Sequence, residues 1–434
     1  MLIDRIQNKS ATIGVIGLGY VGLPILLALA KVGFQTRGLD IDANKVDQLQ
    51  KGLSYIRHIP SDSIQSLLAE KRIQFSCDFS SANELDCILI CVPTPLTRHR
   101  EPDLSFVLST AAEIGPHLKA GQLIVLESTV FPGATKDYLT PALESHSKLI
   151  ANKDFHVAYA PEREDPANKN FQTQDIPRVV GSDSEVGLKA ACALYGSLVS
   201  QVVPVSDTMT AESAKLMENI FRSVNIALVN EMKIIFDRMG VDVWEAIDAA
   251  ATKPFGFMPF KPGPGLGGHC IPIDPFYLTW KAREYGITTR FIELAGEINV
   301  GMPVYVMQKI QDGLNRSGKS LQGSRILILG LAYKKDVDDD RESVSYRIMD
   351  RLIQEGAVVE FNDPFISKVG DKREFKHFLG KQSVSLDTIG NFDMTVILTD
   401  HSQYDYEMIV RRSNIVVDTR NACASIQSKK IIKA

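Results

Sequence analysis

The sequence predicts an α/β protein in which two doubly wound parallel sheets are joined by a helical middle. Three observations carry this. Short apolar runs bounded by turn residues recur in both halves of the chain. A β-branched run opens directly into glycine near the start of each half, TIGVIG at 12–17 and RILILG at 325–330. Between the halves, from Asp207 to about Ile247, apolar residues fall at helical spacing and no strand is evident.

The runs can be taken in order. After TIGVIG come a helix-like segment and QTRGLD around Leu39, then CILICVP near Ile90, LIVLEST near Val125 and FHVAYAP near Val157. After RILILG come VVEFND around Phe361, MTVILTD near Ile397 and NIVVDTR near Val416. Continuous apolar runs between turns suit parallel strands buried on both faces. Their alternation with helical segments suggests βαβ units. In the middle, TAESAKLMENIFRSVNIALVNEMKIIFDRMG reads as one helix, capped by Thr208 or Thr210 and ended by Gly240. A second helical stretch is expected from about Phe276 to Asn315. The expected domains are 1–205, 206–318 and 319–434. The apolar face of the middle suits a homodimer interface; an intramolecular bundle is the alternative.

Composition narrows the function. The 434 residues suggest about three domains at roughly 150 residues each. A net charge of −4 leaves no basic footprint for nucleic acid. The six cysteines include no CxxC pair, so no metal site is expected. Cys87 and Cys91, inside an apolar run, read as small buried hydrophobes. Few cysteines in a long chain fit a reducing compartment, and so the cytoplasm. The N-terminal segment does not read as a signal peptide, and no stretch of about 18 apolar residues suggests a membrane partner.

Gly17-Leu18-Gly19-Tyr20-Val21-Gly22 is a GxGxxG between a strand and a helix-like segment, and Asp40 ends the next strand. Gly17 permits the tight turn, Gly19 lets backbone approach a pyrophosphate, and Gly22 packs helix on strand. The helix N-terminus offers N–H groups to phosphates. Asp40, or alternatively Asp42, would accept from ribose hydroxyls and repel a 2′-phosphate. This first domain is therefore expected to be Rossmann-like and to bind NAD through Gly17, Gly19, Tyr20, Val21, Gly22 and Asp40. Pro93 and Thr94 shape a loop at a strand's C-terminal end, where dinucleotides bind in such sheets; for Thr94, plain turn chemistry is the alternative.

PGPGLGGHCIPIDP, residues 262–275, is the most unusual stretch. Its glycines suggest backbone N–H groups close to something anionic. Pro272 suits the first turn of a helix, which would set Cys270 at a helix N-terminus and favour the thiolate. Asp274 could then share a face with Cys270. A buried structural cysteine is the alternative. His269 is left as a loop contact.

These residues, read together, resemble the UDP-glucose/GDP-mannose dehydrogenase family. The resemblance runs through GLGYVGLP (17–24), CVPTP (91–95), ESTVFPG (127–133), APERE (160–164), AESAKLMEN (211–219), the cysteine loop, GLAYKKDVDDDRES (330–343) and VVDTRN (416–421), in family order over almost the whole chain. Within the family, the cysteine loop and PERE look most like UDP-N-acetylglucosamine 6-dehydrogenases serving surface-polysaccharide synthesis. The resemblance implies an NAD-binding Rossmann domain, a helical dimerisation centre and a C-terminal domain, also Rossmann-like, for the UDP-sugar. It implies Cys270 as nucleophile, Lys215 and Asn219 as partners of oxyanionic intermediates, Asp274 as helper, Glu162 as acid/base and Thr129 as organiser of the attacking water beside the cofactor. A second acid of the family falls on Glu164 or Asp165. Arg341 would contact NAD. Glu162, Arg163, Lys215, Asn219, Arg222, Lys261, Gly265, Gly267, Lys334 and Arg420 would contact the UDP-sugar. Lys215 and Asn219 are four apart, on one face of the expected helix. For Lys334, Arg341 and Arg420 the alternative is surface placement, with pairing to the acids at 338–340.

The implied chemistry is a four-electron oxidation at C6 with two NAD, through a thioester on Cys270. Three rivals stand beside it. One is the same chemistry on UDP-glucose, UDP-N-acetylmannosamine, UDP-N-acetylgalactosamine or GDP-mannose. Another is a two-electron hydroxyacid dehydrogenase, and the last an NAD-binding protein with a dead site.

Overall fold

The computed structural model describes residues 1–56, 59–97, 101–163, 173–268, 271–372 and 374–434. Two compact units divide the chain: residues 1–218 with 276–288, and residues 219–275 with 289–434.

The first unit holds strands β1 (Thr12–Ile16), β2 (Gln35–Leu39), β3 (Ile73–Ser76), β4 (Cys87–Ile90), β5 (Leu123–Leu126), β6 (His156–Tyr159), β7 (Arg178–Ser182) and β8 (Val202–Val205). They form one sheet in the order β3-β2-β1-β4-β5-β6-β7-β8. Strands β4 and β5 are buried at every position, which is why they read as unbroken apolar runs. Helix Gly22–Lys31 buries Leu23, Ile25, Leu26, Leu27 and Leu29 in the same core as Ile13 and Val15. Strand order reverses between β1 and β4, the switch point at which such sheets hold ligands beyond their strand C-termini.

One expectation needs correction here. The sheet is not wholly parallel: β7 runs antiparallel to β6, with Ala158 opposite Ser182 and Tyr159 opposite Gly181. Parallel neighbours need a crossover, usually a helix. Among the described residues, 160–177 hold only the 3₁₀ turn Thr173–Asp175. The reversal brings the first residue of β7, Arg178, to the edge where β6 ends.

The second unit holds β9 (Arg325–Leu329), β10 (Val358–Asn362), β11 (Met394–Ile397), β12 (Val416–Asp418) and β13 (Ile431–Lys433), all parallel, in the order β10-β9-β11-β12-β13. Alternate residues of β9 serve opposite cores. Ile326 and Ile328 pack with Val306, Ile310 and Leu314 of helix Arg290–Arg316; Leu327 and Leu329 pack with Ile389, Phe392 and Ile409.

The expected long helix is Thr208–Met239, ended by Gly240 in the left-handed region (φ +73°); the division between the units falls within it. The second helical stretch is not continuous as expected. It breaks into Asp274–Glu284 and Arg290–Arg316. Gly286, at φ +70°, lets the Ile287 N–H turn back onto the Ala282 carbonyl at 3.1 Å, a helix stop that glycine makes cheap. Among the described residues no helix is long and apolar enough to cross a membrane, and no group of three or more His, Cys, Asp or Glu could hold a metal ion.

Candidate active site

The glycine loop follows β1 in the first unit. Gly17 has φ +88°, and a Cβ there would lie 2.7 Å from the Cys91 carbonyl oxygen. A Cβ at Gly22 would lie 1.9 Å from the Gly17 oxygen, so only glycine lets the helix start this close to the strand. A Cβ at Gly19 would meet nothing within 4 Å: this glycine keeps backbone open rather than packed. Tyr20 and Val21 are half-buried and lead into the helix N-terminus. Asp40 is buried; its Oδ2 accepts the Leu18 N–H at 2.8 Å, its Oδ1 accepts the Asp42 N–H at 2.9 Å, and Lys45 Nζ stands 3.6 Å away. The alternative acid, Asp42, instead caps helix Ala43–Gln50 by accepting from Asn44 and Lys45 N–H groups. Tyr55 donates its hydroxyl to the Leu18 carbonyl, a buttress that sequence reasoning missed.

Three more loops sit at the C-terminal ends of β4, β5 and β6. Thr94 Oγ1 donates to the Thr129 carbonyl at 2.6 Å, and Ser128 Oγ donates to the Val92 carbonyl at 2.6 Å. Thr94 is thus more than turn chemistry: it ties two loops, while its own carbonyl accepts the Tyr277 hydroxyl. Pro93 is exposed beside it. Lys215 is buried and its Nζ donates to the Glu162 carbonyl at 2.6 Å, so the structure brings together two residues singled out from sequence. Arg163 faces Glu218, with Nε 3.2 Å from Oε2, and donates Nη1 to the Pro177 carbonyl at 2.6 Å.

In the second unit Asn219 donates its side-chain amide to Asp274, which is 2 % exposed at the start of helix Asp274–Glu284. The expectation placing Pro272 in that helix's first turn is corrected. Residues 271–273 form a turn, and Pro275 takes the early helical position, where proline's missing N–H costs nothing. His269, Cys270, Glu164 and Asp165 lie outside the described residues.

The glycines of the cysteine loop are pressed on protein. A Cβ at Gly263 would lie 2.6 Å from Arg420 Nη1, one at Gly265 (φ +135°) 2.9 Å from Val344 Cγ2, and one at Gly267 2.9 Å from Tyr333 Cβ. The Gly263 N–H donates to Asn230 Oδ1 at 3.0 Å. Close approach to neighbouring side chains is what these positions require. Arg420 is set by its Nε on the Leu398 carbonyl at 2.8 Å and its N–H on Asp418 at 2.9 Å. Arg341 forks onto Asp339 at 2.8 and 2.6 Å, the pairing with the acidic run that sequence left open. Lys334 is half-buried. Lys261 is exposed and paired with Asp248, and Arg222 is exposed.

Burial pushes the Cys87 and Cys91 thiols up; for Cys91 the Glu127 charge adds to it. Both are poor thiolates. Sequence reasoning missed a set of buried charges. Glu127, Arg178 and Tyr195 form one group. Glu212, wholly buried, accepts the Gly133 N–H at 2.6 Å and the Thr135 N–H at 2.8 Å. The available signal was a carboxylate directly ending the apolar strand β5, and an acid on the buried face of the long helix.

The donor set after β1 fits a dinucleotide: a glycine kept open at 19, a helix start behind it, and a buried carboxylate with lone pairs to spare. The comparisons agree. The family models described as UDP-glucose/GDP-mannose dehydrogenase family match in three parts: NAD binding domain at residues 11–199, central domain at 209–300, and UDP binding domain at 327–425. The UDP-N-acetyl-D-glucosamine 6-dehydrogenase of Pseudomonas aeruginosa is 32% identical over 91% of this chain and 92% of its own. The UDP-N-acetyl-D-mannosamine dehydrogenase of Methanococcus maripaludis (strain C7) is 35% identical over 94% of this chain and 92% of its own. Among solved structures, the UDP-D-ManNAc dehydrogenase of Pyrococcus horikoshii superposes with a TM-score of 0.85 at 31% identity, covering 96% of each chain.

Proposed function

The chain belongs to the UDP-glucose/GDP-mannose dehydrogenase family, and from that premise we propose that it oxidises C6 of a UDP-N-acetylhexosamine twice, to the uronic acid, through a thioester on Cys270. It is an NAD-dependent nucleotide-sugar dehydrogenase. The pairing of Asn219 with buried Asp274, immediately after the cysteine loop, carries the reading. Their bond ties Asn219 of the long helix to the residue four positions after the proposed nucleophile.

NAD, when bound, supplies the hydride acceptor for each oxidation. Gly17, Gly19, Tyr20, Val21, Gly22 and Asp40 would hold it, with Pro93, Thr94, Thr129 and Arg341 as further contacts. Asp40's charge would disfavour a 2′-phosphate. The chain's own groups divide the work. Lys215 and Asn219 meet charge developing on the C6 oxygen; preorganised donors of this kind are a large catalytic factor. The Cys270 thiolate adds to the aldehyde carbon, giving a thiohemiacetal whose oxidation leaves a thioester. Glu162, with water ordered by Thr129, assists hydrolysis, and Asp274 holds Asn219 in place. Arg163, Arg222, Lys261, Gly265, Gly267, Lys334 and Arg420 are proposed for the UDP-sugar. The proposed organisation is 1–205 for the cofactor, 206–318 for dimerisation and 319–434 for the UDP-sugar. A homodimer is supported by exposed Phe221, Leu228, Met232, Ile235 and Met239, spaced along one stripe of helix Thr208–Met239. Cytoplasmic residence and supply of a surface-polysaccharide precursor complete the proposal.

UDP-N-acetylglucosamine is the first choice of sugar. Its 2-epimer is the second reading, favoured by the similarity to UDP-N-acetylmannosamine dehydrogenases. NADH formed per sugar consumed, across UDP-glucose and the N-acetyl epimers, tests both parts. The expected result is two NADH per sugar, with an N-acetyl sugar preferred. One NADH per sugar would sink the thioester scheme, and preference for UDP-glucose would sink the sugar assignment.

A further inference from the structure

Three consecutive residues after β6 are each pinned. The Pro161 carbonyl accepts Arg178 Nη1 at 2.8 Å, the Glu162 carbonyl accepts Lys215 Nζ at 2.6 Å, and Arg163 Nη1 reaches the Pro177 carbonyl at 2.6 Å. Arg178 is 4 % exposed, and the same Nη1 lies 3.3 Å from Oε2 of Glu127, itself 2 % exposed. The other oxygen of Glu127 accepts the Tyr195 hydroxyl, and Arg178 Cζ lies 5.2 Å over the Tyr195 ring.

A buried ion pair is weak evidence for stability, because desolvation offsets its attraction. Its geometry says more. The antiparallel pairing of β7 with β6 sets Arg178 opposite the residues that follow β6. A guanidinium carries a fork of donors, so it can serve a carboxylate and a carbonyl together. Glu127 fixes the fork from behind, and Tyr195 fixes Glu127.

We propose that Arg178, oriented by Glu127 and Tyr195, is a positioning residue that aims Glu162 for thioester hydrolysis. This rests on the reading of Glu162 given above. In that step a water oxygen bonds to C6 as the C6–S bond breaks. The sulfur leaves with the bonding pair as the Cys270 thiolate, and the water's proton passes to the Glu162 carboxylate. A tilt of the Pro161–Glu162 peptide would misdirect the carboxylate without touching either substrate.

The test compares Glu162→Gln, Arg178→Lys and Tyr195→Phe in the full-length enzyme, by steady-state kinetics, stopped-flow NADH absorbance and intact-protein mass after mixing with UDP-sugar and NAD. For Arg178→Lys the expected result is kcat lower by at least about tenfold, with both KM values falling alongside it so that each kcat/KM stays within about twofold. A burst of NADH should precede a slow phase, with a covalent sugar adduct on the protein. Tyr195→Phe should move the same way by less, and it carries the test should Arg178→Lys not fold. If Glu162→Gln traps the adduct while the other two variants turn over normally, the positioning inference is overturned and the Glu162 reading stands. If Glu162→Gln traps no adduct, that reading fails and the inference with it. Raised KM at unchanged kcat for Arg178→Lys would make the residue a binding support and overturn its positioning role.

Discussion

Glu212 offers a pH test with a defined sign. Burial, the larger effect, pushes its carboxyl up from an ordinary value near 4.5 to about 7, against the hydrogen bonds from Thr135 and Gly133 that favour the anion; the charge of Asp183 adds to the rise. Between those values the native state holds a proton that the unfolded chain has released. Stability is therefore fullest below about pH 4.5 and is lost as pH rises toward 7. At 1.36 kcal/mol per unit, the gap amounts to about 3 kcal/mol. Glu212→Gln removes the titration. It keeps one acceptor oxygen where the carboxylate has two, so the Gly133 or Thr135 N–H loses its partner, at a cost of about 1–3 kcal/mol. Urea unfolding of both proteins, followed by a signal from residues 1–218 at half-unit steps from pH 4.5 to 8, reads the difference directly. The wild-type minus variant stability should fall by about 3 kcal/mol over that range. Parallel curves would refute the reasoning, and so would a difference that rises with pH.

Other outcomes follow from single contacts. Gly22→Ala drives a Cβ to 1.9 Å from the Gly17 carbonyl oxygen; NADH fluorescence titration should show binding weaker by about a hundredfold, the equivalent of ~3 kcal/mol. Gly263→Ala displaces the Arg420 guanidinium, whose flexible end lies 2.6 Å from the new Cβ. The fold should survive by thermal melting while KM for the UDP-sugar rises about tenfold with kcat nearly unchanged. The double change Leu228→Glu and Ile235→Glu puts charges on the exposed stripe of the long helix. Sedimentation should then show monomer where the wild type shows dimer; an unchanged distribution would exclude that stripe as the interface.

How much of this could be read in the sequence depended on burial. Strands β1, β4, β5, β9, β11 and β12 were legible because both faces are covered and nearly every residue is apolar. Strands β3, β8 and β13 were not. They lie at sheet edges and are only partly buried, and Pro204 sits within β8, a residue that only an edge tolerates. Strand β7 is wholly buried yet starts with Arg178, whose charge disguises it until Glu127 is seen beside it. The same limit applies to the site. Lys215, Asn219 and Asp274 sit in local motifs and could be found. Glu127, Arg178, Tyr195 and Glu212 act through partners distant in sequence, and the contact of Gly263 with Arg420 has no local trace at all.

The two sheets share a device with opposite uses. Each second strand ends in an aspartate that turns back to the loop after the first strand: Asp40 to Leu18, and Asp363 to Leu331 and Ala332. Asp363 also accepts from Phe365, Ile366 and the buried His401, so five donors crowd a carboxylate with about four lone-pair sites. Asp40 accepts two backbone N–H groups and keeps capacity. Both proposed ligands are ribonucleotide diphosphates, so twin sheets in one chain run the danger of exchanging guests. Saturating one aspartate and sparing its counterpart makes the second sheet deaf to a ribose offered at that position, and so separates cofactor from substrate without changing the scaffold.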